Sequence, residues 1–228
     1  MSNPKMYRVV LTGGPTRLII HADNLAGQAK IEEWRRTNKD KKQVKGDDRC
    51  PPWGWRIYLY TDGEHVVLPS ANVQSCITTG SAEFKLEGKR SSLKRTSAAA
   101  LRFPDEFLTF IPAGRKKPIG VEEIDAIDQD MPFDDQCAAA LKLGILLDVR
   151  RATVGQSKHV RVRPCFPAGW RAEGTLINSQ PDLIGAETLG QIMTLCGNLV
   201  GLGDWRPSSP KRPGPHGRFT SMLSGEGK

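Results

Sequence analysis

The sequence predicts an α+β fold. Stretches rich in β-branched and aromatic residues occur as pairs around turn residues, which is how antiparallel strands are written. Segments with helical spacing of apolar residues interleave with those pairs instead of alternating strictly with single strands, so a doubly wound parallel sheet fits poorly. No motif recurs at a fixed period, which excludes solenoids and propellers. At 228 residues the chain can bury a proper core, and one domain over 1–228 with an insertion is the expected organisation.

The chain opens with "MYRVVLT" and "RLIIH", separated by "GGPT", which predict a hairpin. A short helix is expected from Leu25 to Trp34. "RRTNKDKKQVKGDDR" contains a single aliphatic residue, Val44, too little apolar surface to offset the entropy of ordering, so a mobile insertion over about 35–50 is expected. "WRIYLY" and "HVVLP" around "TDGE" predict a second hairpin with an Asp-Gly turn. From Ser70 a helix places Val73, Cys76, Ile77 and Gly80 on one face. A further helix starts at Ser91 or Ser92 and ends before Pro104. "FLTFIP" is a short strand. The acidic stretch "GVEEIDAIDQDMPFDDQ" is expected to be a loop with a helical turn.

"GILLDVRRATV", "KHVRVRP" and "WRAEGTLI" show strand alternation, with Val160 and Val162 facing away from Arg161 and Arg163. Leu189, Ile192, Met193, Cys196, Leu199 and Val200 recur at helical spacing, and Gly201 is placed to stop that helix in a left-handed conformation. Beyond it, a Gly/Pro-rich loop covers 201–218.

The formal net charge is +8 and the isoelectric point is near 9.4, which favours polyanionic partners. The five cysteines are scattered without a C-x-x-C pair, arguing against a disulfide framework or a zinc site. Neither a signal segment nor a membrane-spanning window is evident, so a soluble, cytoplasmic protein without membrane association is expected.

Four basic groups are candidate phosphate contacts. The insertion carries Arg35, Arg36, Lys41, Lys42 and Lys45 next to Trp34, Trp53 and Trp55, a pairing of cations with stacking rings that suits unpaired nucleic acid; a solvated loop between core tryptophans is the competing reading. Lys89, Arg90, Lys94 and Arg95 lie in a stretch without interleaved glutamates, with Ser92 leaving room for a backbone to approach. Arg161 and Arg163 share a strand face. In the C-terminal loop, Gly201 and Gly203 can aim backbone amides at an anion, beside Arg206 and Arg218 and the neighbouring Lys211, Arg212 and His216. Trp205 is either a stacking ring or, in the favoured reading, a buried anchor, while "SSPKRPGP" is expected to hang loose. No catalytic or cofactor motif is present: the histidines have no metal spacing, and the loop is neither a dinucleotide fingerprint nor a Walker loop. A magnesium site in the aspartate-rich segment is a weak alternative.

The block "GNLVGLGDWRP…HGRF" resembles the end of phage and prophage proteins, and these in turn are similar to the RAMP superfamily of CRISPR effector backbone subunits. "YRVVLTG", "LPSANVQSCI…SLKRTSAAALR" and "VRVRP" before "GWRAEGTLI" are similar as well. The resemblance implies an RRM/ferredoxin-like antiparallel sheet with helices on one face and a finger-like basic insertion. It also implies a groove lined by Ser92, Lys94, Arg95, Gly201, Gly203 and Arg206. The resulting expectation is a non-catalytic protein, without cofactor or metal, that binds single-stranded RNA or ssDNA. It would assemble in several copies along the strand, with other subunits of a ribonucleoprotein complex as further partners. A phage virion, assembly or recombination protein and a metal-dependent nuclease remain the alternatives.

Overall fold

The computed structural model describes residues 2–22, 24–37, 51–154, 157–210 and 212–225, with the side chains of 151–160 excepted. The expected insertion, with Lys41, Lys42 and Lys45, therefore lies almost wholly outside the described residues, as does Lys211. In chain order the elements are β1 (Lys5–Gly13), β2 (Leu18–Ile19), α1 (Leu25–Thr37), a 3₁₀ helix (Pro52–Tyr58), β3 (Val67–Pro69), α2 (Ser70–Gly80), α3 (Lys94–Ala100) and β4 (Leu101–Arg102). They continue with β5 (Phe107–Ile111), α4 (Val121–Asp125), α5 (Phe133–Lys142), β6 (Leu146–Val154), β7 (Ser157–Phe166), β8 (Arg171–Asn178), α6 (Ala186–Leu195), a π-helical turn (Cys196–Val200) and β9 (Phe219–Gly225).

The fold is α+β, with two antiparallel sheets among the described residues. The larger runs in the order β3, β5, β8, β1, β9, with β4 also paired to β8; the smaller runs β2, β7, β6. Alternation along the strands of the larger sheet separates its faces. Tyr7, Val9 and Leu11, with Leu108, Phe110, Ala172, Leu176 and Phe219, enter one buried cluster with Val73, Cys76 and Ile77 of α2 and Leu189, Ile192 and Met193 of α6. The Cys76 and Cys196 thiols each donate to the other's backbone carbonyl, at 3.8 and 3.3 Å, tying α2 to the π turn. The hydrogen-bonded Cys196 neighbour, together with burial, pushes the Cys76 thiol up.

Four expectations need correction. No hairpin opens the fold: both edges of β1 are occupied by β8 and β9, so β2 turns away and pairs with β7. "WRIYLY" is mostly 3₁₀ helix, because Pro52 at the first helical position presets a helix-compatible φ after the extended N-cap Pro51, and the turn buries Trp55 and Ile57; only the turn at Asp62–Gly63 and the returning strand are as expected. The helix expected from Ser91 starts at Lys94, since 85–92 form a tight turn closed by the Lys85↔Ser92 bridge and the Leu86 to Ser91 backbone bond. The acidic stretch forms α4 and the first turn of α5, where Glu122, Glu123, Asp134 and Asp135 sit favourably at helix N-termini.

Candidate functional site

The hairpin of β6 and β7 registers Asp148 opposite Arg163 and Arg150 opposite Arg161. Residues directly opposite in an antiparallel pair share a face, so all four lie on one side of the small sheet. The C-terminal loop folds onto that side. Its ends meet where the Leu202 N–H donates to the Gly217 carbonyl, and it runs along the segment before and within β2. There Asp204 N–H donates to Ile19 O at 2.8 Å, Gly217 N–H to Arg17 O at 2.9 Å, and the Thr16 hydroxyl to Pro215 O at 2.7 Å.

The docked loop completes a network of charge. Asp148, buried at 8% side-chain exposure, takes Arg17 at 3.4 Å and the Arg150 Nη2 at 3.0 Å. Arg163 pairs with Asp204, and burial followed by the nearby Arg161 lowers its pKa, leaving a guanidinium that is still charged. Arg161 is exposed and makes no ion pair among the described residues. Four guanidiniums thus face two carboxylates here, and Arg161 is the one that pairs with neither.

Trp205 sits at the centre of the loop. It has φ 53° and is the only non-glycine residue with positive φ among those described, a conformation that costs on the order of 1–3 kcal/mol. Its ring lies 4.0 Å beneath the Arg150 guanidinium carbon and 5.5 Å from the edge-on His216 ring. Trp205 is 42% exposed, which corrects the expectation of a buried anchor. The expectation of a loose "SSPKRPGP" also fails for the described residues: Ser209 and Gly214 N–H both donate to the Arg206 carbonyl, and Ser208 N–H donates to Val200 O.

His216 is buried between these cations. Arg150 Nη2 stands 3.3 Å from His216 Nε2; since arginine only donates, Nε2 accepts and Nδ1, which is buried without a partner among the described residues, carries the proton. Burial, then Arg17 and Arg150, depress the imidazole pKa against the opposing pull of Asp148. A depressed histidine pKa means that the neutral form supports the fold above its ordinary value of about 6.5, and that support is lost as pH falls through the folded-state value. We therefore expect the stability of the wild type to fall more steeply than that of His216→Gln between neutral and mildly acidic pH. Denaturant unfolding at a series of pH values checks this, and parallel curves would contradict it.

Next to the network lies a crevice of about 150 Å³, bounded by Asn72, Ser75 and Thr79 of α2, by His21 and Tyr60, and by Gly201 to Asp204 with Arg206. Of the residues expected to line such a groove, Gly201, Gly203 and Arg206 do so. Arg206 is partly committed to its own loop, donating to Gly203 O at 2.9 Å and Ser208 Oγ at 3.1 Å. Ser92, Lys94 and Arg95 do not line it; Lys89, Arg90 and Ser92 belong to the 85–92 turn and Lys94 and Arg95 to the first turn of α3, and these four cations are exposed and form no ion pairs among the described residues. Arg35 and Arg36 end α1, Arg36 lying 3.9 Å from Glu33, and Arg218 donates to the Asn198 carbonyl. Of the three tryptophans flanking the insertion, Trp34 and Trp53 line a groove beside α1, whereas Trp55 is a core residue whose indole donates to Gln136.

Comparison with known families finds no family model that matches the chain, and no curated protein matches it. Sequence reasoning missed Arg17, Asp148 and Arg150. The signal for the last two was half present: "LLDVRRATV" alternates as a strand in the sequence, but only the pairing register sets Asp148 and Arg150 opposite Arg163 and Arg161. Among the described residues no three or more His, Cys, Asp or Glu side chains gather to hold a metal, and no helix is long and apolar enough to cross a membrane.

Proposed function

We propose that this protein binds single-stranded nucleic acid, RNA in the first instance, through its sugar-phosphate backbone, and assembles in several copies along it. The observation that carries this reading is the arginine face of the β6–β7 hairpin, with Arg161 left without an ion pair among the described residues beside a docked glycine loop. Phosphates supply most of the affinity at such a surface and carry no base sequence. Lys89, Arg90, Lys94 and Arg95, exposed on the 85–92 turn and the start of α3, are proposed as further phosphate contacts at a second place on the molecule.

The strand order β9, β1, β8, β5, with α2 between β1 and β5 and α6 between β8 and β9, supports a split βαβ arrangement and hence a RAMP-like domain. The mode of binding differs from that of a typical RNA-recognition sheet, in which aromatic residues on the central strands stack bases. Here the face of β1 and β8 turned away from α2 and α6 holds Met6, Arg8, Thr12, Arg171, Glu173, Thr175 and Ile177 around a buried Val10, and Glu173 is engaged by both Arg8 and Arg171. The open sheet face therefore offers no stacking ring on these strands, and contact falls to the loop and hairpin.

Fluorescence anisotropy with labelled single-stranded RNA, single-stranded DNA and duplex RNA tests the proposal. Binding to single strands, RNA above DNA, and complexes whose hydrodynamic size steps up with oligonucleotide length are expected. Absence of binding to all three at low salt would overturn it.

A further inference from the structure

We infer that Trp205 is a base-stacking residue and that it forms, with Arg161, a two-part site for one nucleotide unit of the bound strand. This inference rests on the nucleic-acid reading above but adds to it, since phosphate contacts alone would leave the bases untouched. Three features of Trp205 together point to a ligand. It is large and aromatic yet 42% exposed. It is held at φ 53°, where a glycine would sit without strain, and strain of this kind persists only where surrounding structure enforces it. Finally, the enforcing structure is dedicated to the ring: the Arg150 guanidinium lies over it at 4.0 Å, His216 abuts it edge-on, and the Gly214 backbone lies so close to its Cγ and Cδ1 that a side chain at 214 would collide with it.

The second half of the site is Arg161. Arg150, which backs the indole, is registered directly opposite Arg161 on the same face, and cross-strand neighbours of this kind stand about 5 Å apart at Cβ. An aromatic platform and an uncommitted cation are thereby set one long side chain apart, a separation suited to a base and its own phosphate. Arg150 is unavailable for the phosphate because Asp148 holds it, and Arg163 because Asp204 does. The site is sequence-tolerant, since every base presents a π face, and it requires an unpaired base.

The experiment is photo-crosslinking of the full chain to an oligouridylate carrying one 5-iodouridine, with the attachment mapped by peptide mass spectrometry, alongside anisotropy titrations of three variants. Crosslinking at Trp205 is expected. Trp205→Phe should retain affinity to within about twofold, and Trp205→Ala should lose about tenfold. The salt dependence of the Trp205→Ala complex should match that of the wild type, because stacking releases no counterions, whereas Arg161→Ala should flatten it by about 0.7 in slope. Binding by the wild type with attachment elsewhere, and with equal affinities for Trp205→Phe and Trp205→Ala, would overturn this inference and leave the backbone-binding reading standing. No binding by the wild type would overturn both. Should Trp205→Ala fail to fold, the crosslinked position in the wild type and the affinity of Trp205→Phe still decide the matter.

Discussion

Replacing Asp148 by alanine is expected to lower the unfolding free energy by about 3 kcal/mol, the lower end of the loss seen when one partner of a buried ion pair is removed. The carboxylate is buried while its partners Arg17 and Arg150 keep 39% and 30% side-chain exposure, so solvent screens part of the cost and the upper end does not apply. The remaining loss is substantial. Without Asp148 the guanidiniums of Arg17 and Arg150 face each other, Arg161 and Arg163 across the hairpin with only Asp204 to compensate them. Asp148→Asn, which keeps an acceptor for Arg150 but removes the charge, should lose less. Urea denaturation at neutral pH measures both, and an alanine variant within about 0.5 kcal/mol of the wild type, the range of an unremarkable surface change, would show that the network is not a structural keystone.

Gly203→Ala should be comparably damaging for a different reason. Gly203 has φ +69°, and a Cβ there would run into the Ile19 carbonyl and lie 2.9 Å from Leu18 Cδ1. The Ile19 oxygen is the acceptor for Asp204 N–H, so the loop cannot shift outward without losing that bond. A left-handed alanine costs about 1–2 kcal/mol, and the broken buried hydrogen bond adds about 1–3 kcal/mol. We expect about 3 kcal/mol in total, within the sum of those two ranges, with the loss centred on the loop, because Asp204 would be lifted from Arg163. Hydrogen exchange reports this locally: protection should collapse at Asp204 and Gly217 while β1 and β8 stay protected. Uniform loss across the sheet, or none at all, would contradict the claim that Gly203 docks the loop.

How far the sequence could be read depends on the range of the interactions involved. The α2 and α6 patterns were readable because helical periodicity is local: Val73, Cys76, Ile77 and Gly80 are all buried, and Leu189, Ile192, Met193 and Cys196 keep their face. The pattern broke at Leu199, which is 60% exposed while Val200 beside it stays buried at 5%, because the π turn changes the angle between successive residues and moves Leu199 off the buried face. Sheet partnership was not readable, since "GGPT" satisfies hairpin chemistry equally well when the strands part to different sheets. The site itself was half visible. Arg161, Arg163, Gly203 and Arg206 stood out as residue types, yet Asp148 and Arg17 gain meaning only once register and loop docking bring them to the same face. Trp205 could not have been placed, because no local preference puts a tryptophan at positive φ.

The central claim is that this surface holds a single strand by its phosphates, and the most direct measurement is the salt dependence of wild-type binding to single-stranded RNA. Contact with three or more phosphates predicts a plot of log affinity against log salt with a slope of about −2 or steeper, at roughly 0.7 per phosphate for single strands. Arg161→Ala should shorten that slope by one such step, as should each cation lost from Lys94 and Arg95. A slope near zero, or one that Arg161→Ala leaves unchanged, would contradict the account.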